Sequence, residues 1–160
     1  MDKLKLSPAN IVILAAGAVM LIASFLTFYK LSIPKEVFGS ISIGGSKSYS
    51  AWGGASGFGV FGIATVVVLC GIVMGAQVAV AGFAKGQTLP DKVLGLTWDQ
   101  VHLALGFQAA LLMFAFLIRS KGPLDFGIGF WLMLLAAIAL LVGAIMRVTG
   151  AGAGAGPRPA

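Results

Sequence analysis

Carboxylates, histidine and cysteine are almost missing from this chain. Its 160 residues include five Asp and Glu, one His and one Cys, and 10% of them are charged, against about a quarter in an ordinary soluble domain. So few ionisable side chains cannot cover a water-facing globule of this size, because most of its surface would be exposed hydrocarbon. Lipid is therefore the expected solvent, which excludes a soluble enzyme, a disulfide-stapled secreted domain and a disordered chain. The lone Cys70 cannot form an intramolecular disulfide, and it reads as a small buried hydrophobe. Dense basic runs are missing too. The net charge of +6 comes from singly scattered Lys and Arg, which read as topology signals and lipid headgroup contacts, with no nucleic-acid partner implied.

What the chain has is apolar length, with 59% hydrophobic residues. A helix rises about 1.5 Å per residue and the hydrocarbon core is about 30 Å thick, so a span needs about 20 apolar residues. Four stretches qualify: 9–29, 57–84, 98–118 and 126–148. The expected fold is an all-α membrane protein, a four-transmembrane-helix bundle. Ser7 and Pro8 stand where an N-cap and first helical residue belong, and Asp99 suits the positive end of the third helix. The interfacial anchors are Trp52, Trp98, Trp131 and Tyr29, all near span ends. Lys3 and Lys5 precede an apolar stretch too long for a signal peptide and with no A-x-A site after it, so that stretch is expected to be retained.

Within the first loop, VFGSISI (37–43) and SYSAW (48–52) flank GGSK (44–47). Alternating β-branched, aromatic and serine residues around a Gly-rich turn predict a short β-hairpin over 37–52, with a flexible linker as the other reading. The Gly/Ala/Pro tail, 149–160, is expected to be disordered, which makes 1–148 the transmembrane domain. With the N-terminus inside, Lys3, Lys5, Lys85, Lys92, Arg147 and Arg158 face Lys30, Lys35, Lys47, Arg119 and Lys121 across the membrane. The near balance does not orient the chain. Placing the long first loop outside makes both termini cytoplasmic, in a multi-pass protein of the cell membrane.

Chemistry is sparse. All five acids lie in loops or at helix ends, so no midplane carboxylate is available for proton-coupled transport. A catalytic nucleophile motif, a phosphate loop and a metal-ligand set are not found, so neither a cofactor nor enzymatic activity is expected. Asp99 and His102, one helical turn apart, form the weak candidate: an interfacial proton or metal contact, or else a histidine in the headgroup layer. The intramembrane polar residues are Gln77, Gln108 and Ser24. Gln77 and Gln108 fall at similar depth if their helices are antiparallel neighbours and could then hydrogen-bond, as internal glue or as part of a ligand path. Gly71, Gly75 and Ala79 recur on one face of the second helix, as do Ala139 and Gly143 on the fourth, where two backbones can meet closely, within the chain or between copies.

The segments GAVMLIASFLTFY, SAWGG and GIGFWLMLLAAIALLVGAI resemble those of small four-helix bacterial membrane proteins of unknown function, and the Gly/Ala/Pro/Arg tail fits a bacterial source. A stranded loop between the first two of four helices is also similar in layout to claudins. Their tryptophan and paired-cysteine signature is missing here, so no paracellular barrier role is implied. The expected function is a non-enzymatic structural or accessory subunit, touching membrane lipids and copies of itself or a larger envelope complex through helix faces and the outer loop. The alternative is a small transporter, channel or lipid-binding protein with a polar path near Gln77, Gln108 and Ser24. A third reading, an enzyme acting on lipid or quinone, needs Asp99 and His102 in one cleft.

Overall fold

The computed structural model describes residues 7–38, 41–53, 62–83, 90, 92–93, 95–118 and 124–150. Four helices, α1 (Pro8–Ser24), α2 (Ile63–Phe83), α3 (Trp98–Ile118) and α4 (Ile128–Thr149), carry the fold. They alternate with strands β1 (Tyr29–Phe38), β2 (Ile41–Tyr49), β3 (Lys92–Val93), β4 (Leu96–Thr97) and β5 (Leu124–Phe126). Three helices, α2, α3 and α4, are long and apolar enough to cross a membrane, while α1 is apolar but shorter, at 17 residues.

The helices form an up-down-up-down ring in which α4 closes back onto α1. Small residues set the approach distances. A Cβ on Gly17 would lie 3.0 Å from the Gly71 carbonyl oxygen, one on Gly143 would meet Ile13 at 2.7 Å, and one on Gly106 would meet the Leu141 Cα at 3.1 Å. Inside the ring, Ile13, Met20, Val67, Met74, Met113, Phe130, Met133 and Leu140 are fully buried. Outside it, Phe107, Leu111, Leu135 and Val142 are exposed. A core that is apolar together with an apolar rim is what a lipid-facing bundle requires.

Caps explain where the helices begin and end. Ser7 accepts a hydrogen bond from the Asn10 N–H at 3.3 Å, and Pro8 follows in the first turn. The stretch expected to be one helix to residue 29 ends at Ser24. There the Phe25 N–H turns to Ile22 O at 3.2 Å, and the Phe28 N–H donates to Tyr49 O at 2.7 Å, which commits the chain to a sheet. The fourth helix likewise starts at Ile128 rather than 126, because Leu124–Phe126 pairs with β1 and the Gly127 N–H donates to Phe28 O at 2.9 Å. Gly150, in the left-handed region at φ 68°, closes α4. The second helix starts at Ile63, with 54–61 outside the described residues. The tail 151–160 also lies outside them.

The hairpin of the first loop is present but is turned elsewhere than expected. Residues 39 and 40 join Phe38 to Ile41, and GGSK lies inside β2, with Gly45 opposite Ile33 and Lys47 opposite Leu31. β1 tolerates its Pro34 because the register shifts between Ile33 and Glu36, so the missing N–H falls at an irregularity. The order β2-β1-β5 makes a three-stranded antiparallel sheet from two connections far apart in sequence. A second ladder pairs β3 with β4, turning through Gly95 at φ 82°.

Candidate functional site

The two ends of the bundle are built differently. At the sheet end, Phe28 sits edge-on to Phe116 and Phe130 at 5.5 and 5.4 Å, and Phe126 stacks on Phe130 at 3.8 Å. The Trp52 indole N–H donates to Ser24 Oγ at 2.8 Å, and Ser24 donates in turn to Leu21 O at 2.6 Å. Thr65 Oγ1 donates to Ala51 O at 3.0 Å. These bonds tie the segment before α2 to the ends of α1 and α2, so Trp52 is a half-buried strut between them.

The opposite end gathers the chemistry. Asp99 and His102, at i and i+3, share a face of α3's first turn, and Arg147 arrives on the last turn of α4. Each charge sits at the helix end whose dipole favours it. Arg147 Nε donates to Asp99 Oδ1 at 2.9 Å, and Nη1 donates to Gln77 Oε1 of α2 at 3.4 Å. Nη1 also lies 2.9 Å from His102 Nδ1. A guanidinium can only donate, so Nδ1 must accept, and His102 is the neutral tautomer with its proton on Nε2. That ring is fully buried, with Nε2 unpartnered among the described residues and the Trp98 ring edge-on at 6.5 Å.

Beside this cluster lies a cavity of about 240 Å³ between the first turn of α1 and the ends of α3 and α4, lined by Ser7, Asn10, Asp99, Met146 and Arg147 among others. Asn10 Oδ1 is buried, with no hydrogen-bond donor among the described residues. The site therefore offers a cation and a carboxylate in one recess. It can hold a polar or zwitterionic group. A metal is poorly served, since the guanidinium occupies the space between Asp99 and His102, and no trio of metal-ligating side chains occurs among the described residues.

Asp99 and His102 are thus brought together, but through Arg147 rather than by facing each other. The three intramembrane polar residues do not converge. Gln77 bonds to Arg147, Gln108 is exposed on α3 instead of pairing with Gln77, and Ser24 belongs to the sheet end. Ser24 lies at the level of Thr65, twelve residues before Gln77, a separation of about 18 Å along α2. Gly71, Gly75 and Gly143 meet α1 within the same chain, while Ala79 and Ala139 are half-buried on the same helices. Trp98 donates from its indole N–H to Pro90 O at 2.8 Å, Trp131 is exposed beside Phe126 and Phe130, and Tyr29 packs against Phe28 and Phe116.

Arg147 and Asn10 were not singled out by the sequence reading. Their signal was antiparallel geometry: in a four-helix up-down bundle, the first turns of α1 and α3 and the last turn of α4 share one end. Comparison of the chain with family models and with curated proteins finds no match.

Proposed function

We propose that this chain is a non-enzymatic, four-span integral membrane protein of the cell membrane, a structural or accessory subunit that presents its sheet end to a partner. The observation that supports this most is the sheet itself. Strands from two distant connections are joined where Tyr29 of β1 and Phe126 of β5 pack against Phe28, Phe116 and Phe130, which supports reading this end of the bundle as a platform. α1 counts as the fourth span because it packs along both α2 and α4 and shares their surroundings. Its rise of about 25 Å falls short of the core by a few Å, a gap the Phe25–Phe28 turn fills. Gly71, Gly75 and Gly143 already make close contacts inside the chain, so contact with a second copy or a larger complex falls to the sheet and the outer helix faces.

The test is crosslinking in native membranes with cysteines placed at Lys30 or Ser48, both exposed on the sheet, in a Cys70→Ser background. A short bis-maleimide is expected to give one discrete adduct from either position and none from Leu135→Cys on the lipid face. Monomer alone from both sheet positions would count decisively against a presented platform. Solute flux in liposomes that depends on Gln77 would favour the transporter reading in its place.

A further inference from the structure

Gln108 is not used by the platform reading. It stands on α3 ten residues from Trp98 and ten from Ile118, about 15 Å from either end of the helix and so half the thickness of the hydrocarbon core. Its side chain is exposed and takes part in no hydrogen bond among the described residues. In the described helices it is the one exposed polar side chain more than a turn from either end. A carboxamide carries two N–H donors and an acceptor oxygen, and hydrocarbon satisfies none of them. Bending towards the headgroups does not rescue it, because they lie about 15 Å away in both directions, farther than this side chain reaches.

The residues around Gln108 indicate what meets it. Ala104, Gln108, Leu111, Ala115 and Ile118 are all exposed and recur at intervals of four, three, four and three residues, the a and d spacing of a left-handed contact between two helices. The row lies opposite His102, Gly106, Ala109, Met113 and Phe116, the side of α3 that is buried in the bundle. It is therefore open to a helix from outside the chain. Gln108 is its one polar member and holds an a position, where a single amide fixes register and helix number. The row carries no charge and no second polar group with which to select a helix of different sequence. An amide complements itself. Two copies related by a two-fold axis along the membrane normal set Gln108 against Gln108 at equal depth, where each donates to the oxygen of the other.

We propose that α3 is a dimerisation helix. Two copies of this chain pair in parallel along the row from Ala104 to Ile118, held in register by reciprocal Gln108 hydrogen bonds. The inference rests on the membrane-spanning part of the proposed function and on no role for the sheet, so it survives if the sheet has no partner.

The test uses the full chain in native membranes, in a Cys70→Ser background. Oxidation of Leu111→Cys with copper phenanthroline is expected to give a disulfide-linked species with the mass of two chains. Val73→Cys, exposed on α2 and also ten residues from its helix start, is expected to give none. In detergent micelles, energy transfer between differently labelled copies should show Gln108→Leu raising the dimer dissociation constant about tenfold or more. Leucine at this exposed position leaves the interior of the bundle untouched, and unchanged helicity checks that the variant folds. No linked pair from Leu111→Cys, equal linkage from Val73→Cys, a linked species of any other mass, or a dissociation constant unaffected by Gln108→Leu overturns the proposal. Failure of the spanning reading looks different: the chain is then recovered from the soluble fraction without detergent, which overturns both, whereas a chain that stays in the membrane without pairing overturns the dimer alone.

Discussion

Arg147 is the residue on which one end of the molecule turns. Replacing it with leucine leaves His102 Nδ1 and Gln77 Oε1 as buried acceptors without a donor, which should cost about 1–3 kcal/mol in detergent unfolding. Asp99→Asn should cost less, within about 1 kcal/mol, because that carboxylate is half exposed and its ion pair is screened. The order of the two variants is the check: an Asp99→Asn loss equal to or larger than that of Arg147→Leu would mean the ion pair, not the histidine contact, holds the cluster. Arg147→Lys should recover only part of the loss, since an ammonium is a point donor and cannot span Asp99, His102 and Gln77 as the planar fork does. At the other end, Trp52→Phe removes the indole bond to Ser24 while keeping the ring contact with Phe25, and thermal unfolding should register about 1 kcal/mol.

Among the helices and strands, glycine positions separate contacts that can yield from those that cannot. A methyl on Gly71 would meet the Met20 sulfur, at the flexible end of a side chain that can swing aside. A methyl on Gly127 would run into the carbonyl group of Thr27, where the backbones of the α1–β1 turn and the β5–α4 junction cross. Gly127→Ala should therefore destabilise far more than Gly71→Ala, by more than about 2 kcal/mol against less than about 1, and the comparison is read from paired melting curves. Gly75→Leu with Gly143→Leu should damage the packing of α1 within one chain, seen as lower helicity and a lower melting temperature, rather than only splitting an assembly. The helices were legible because apolar runs of this length have no other stable form in lipid. Their frayed ends were not. Thr27, Phe28 and Phe126 are as apolar or β-prone as their helical neighbours, and only pairing between distant strands withdraws them from the helices. The same reason hid the hairpin turn: GGSK looks like a turn locally, but the register with β1 places it within β2.

At the scale of the whole molecule, the up-down order sends the sheet and the Arg147 cluster to opposite ends of the bundle, and so, on the proposed four-span reading, to opposite membrane faces. Cysteines at Ser48 and at Gly150, in the Cys70→Ser background, should react with an impermeant maleimide from opposite sides of sealed vesicles. Labelling of both from one side would break the four-span topology. Of the candidate site, Asp99, His102 and Gln77 were visible as scarce polar groups in apolar helices, but Arg147 read as a topology charge and Asn10 as an ordinary first-turn residue. The four helices, three of them long and apolar enough to cross a membrane, were determined by sequence alone, because each follows from how much hydrocarbon a stretch of chain must hide, a property summed over neighbours in sequence. Which polar groups meet was decided by tertiary structure alone. Hydrogen bonds act over about 3 Å, and positions 10, 77, 99, 102 and 147 come within that range or around one cavity only after four antiparallel helices have been packed side by side.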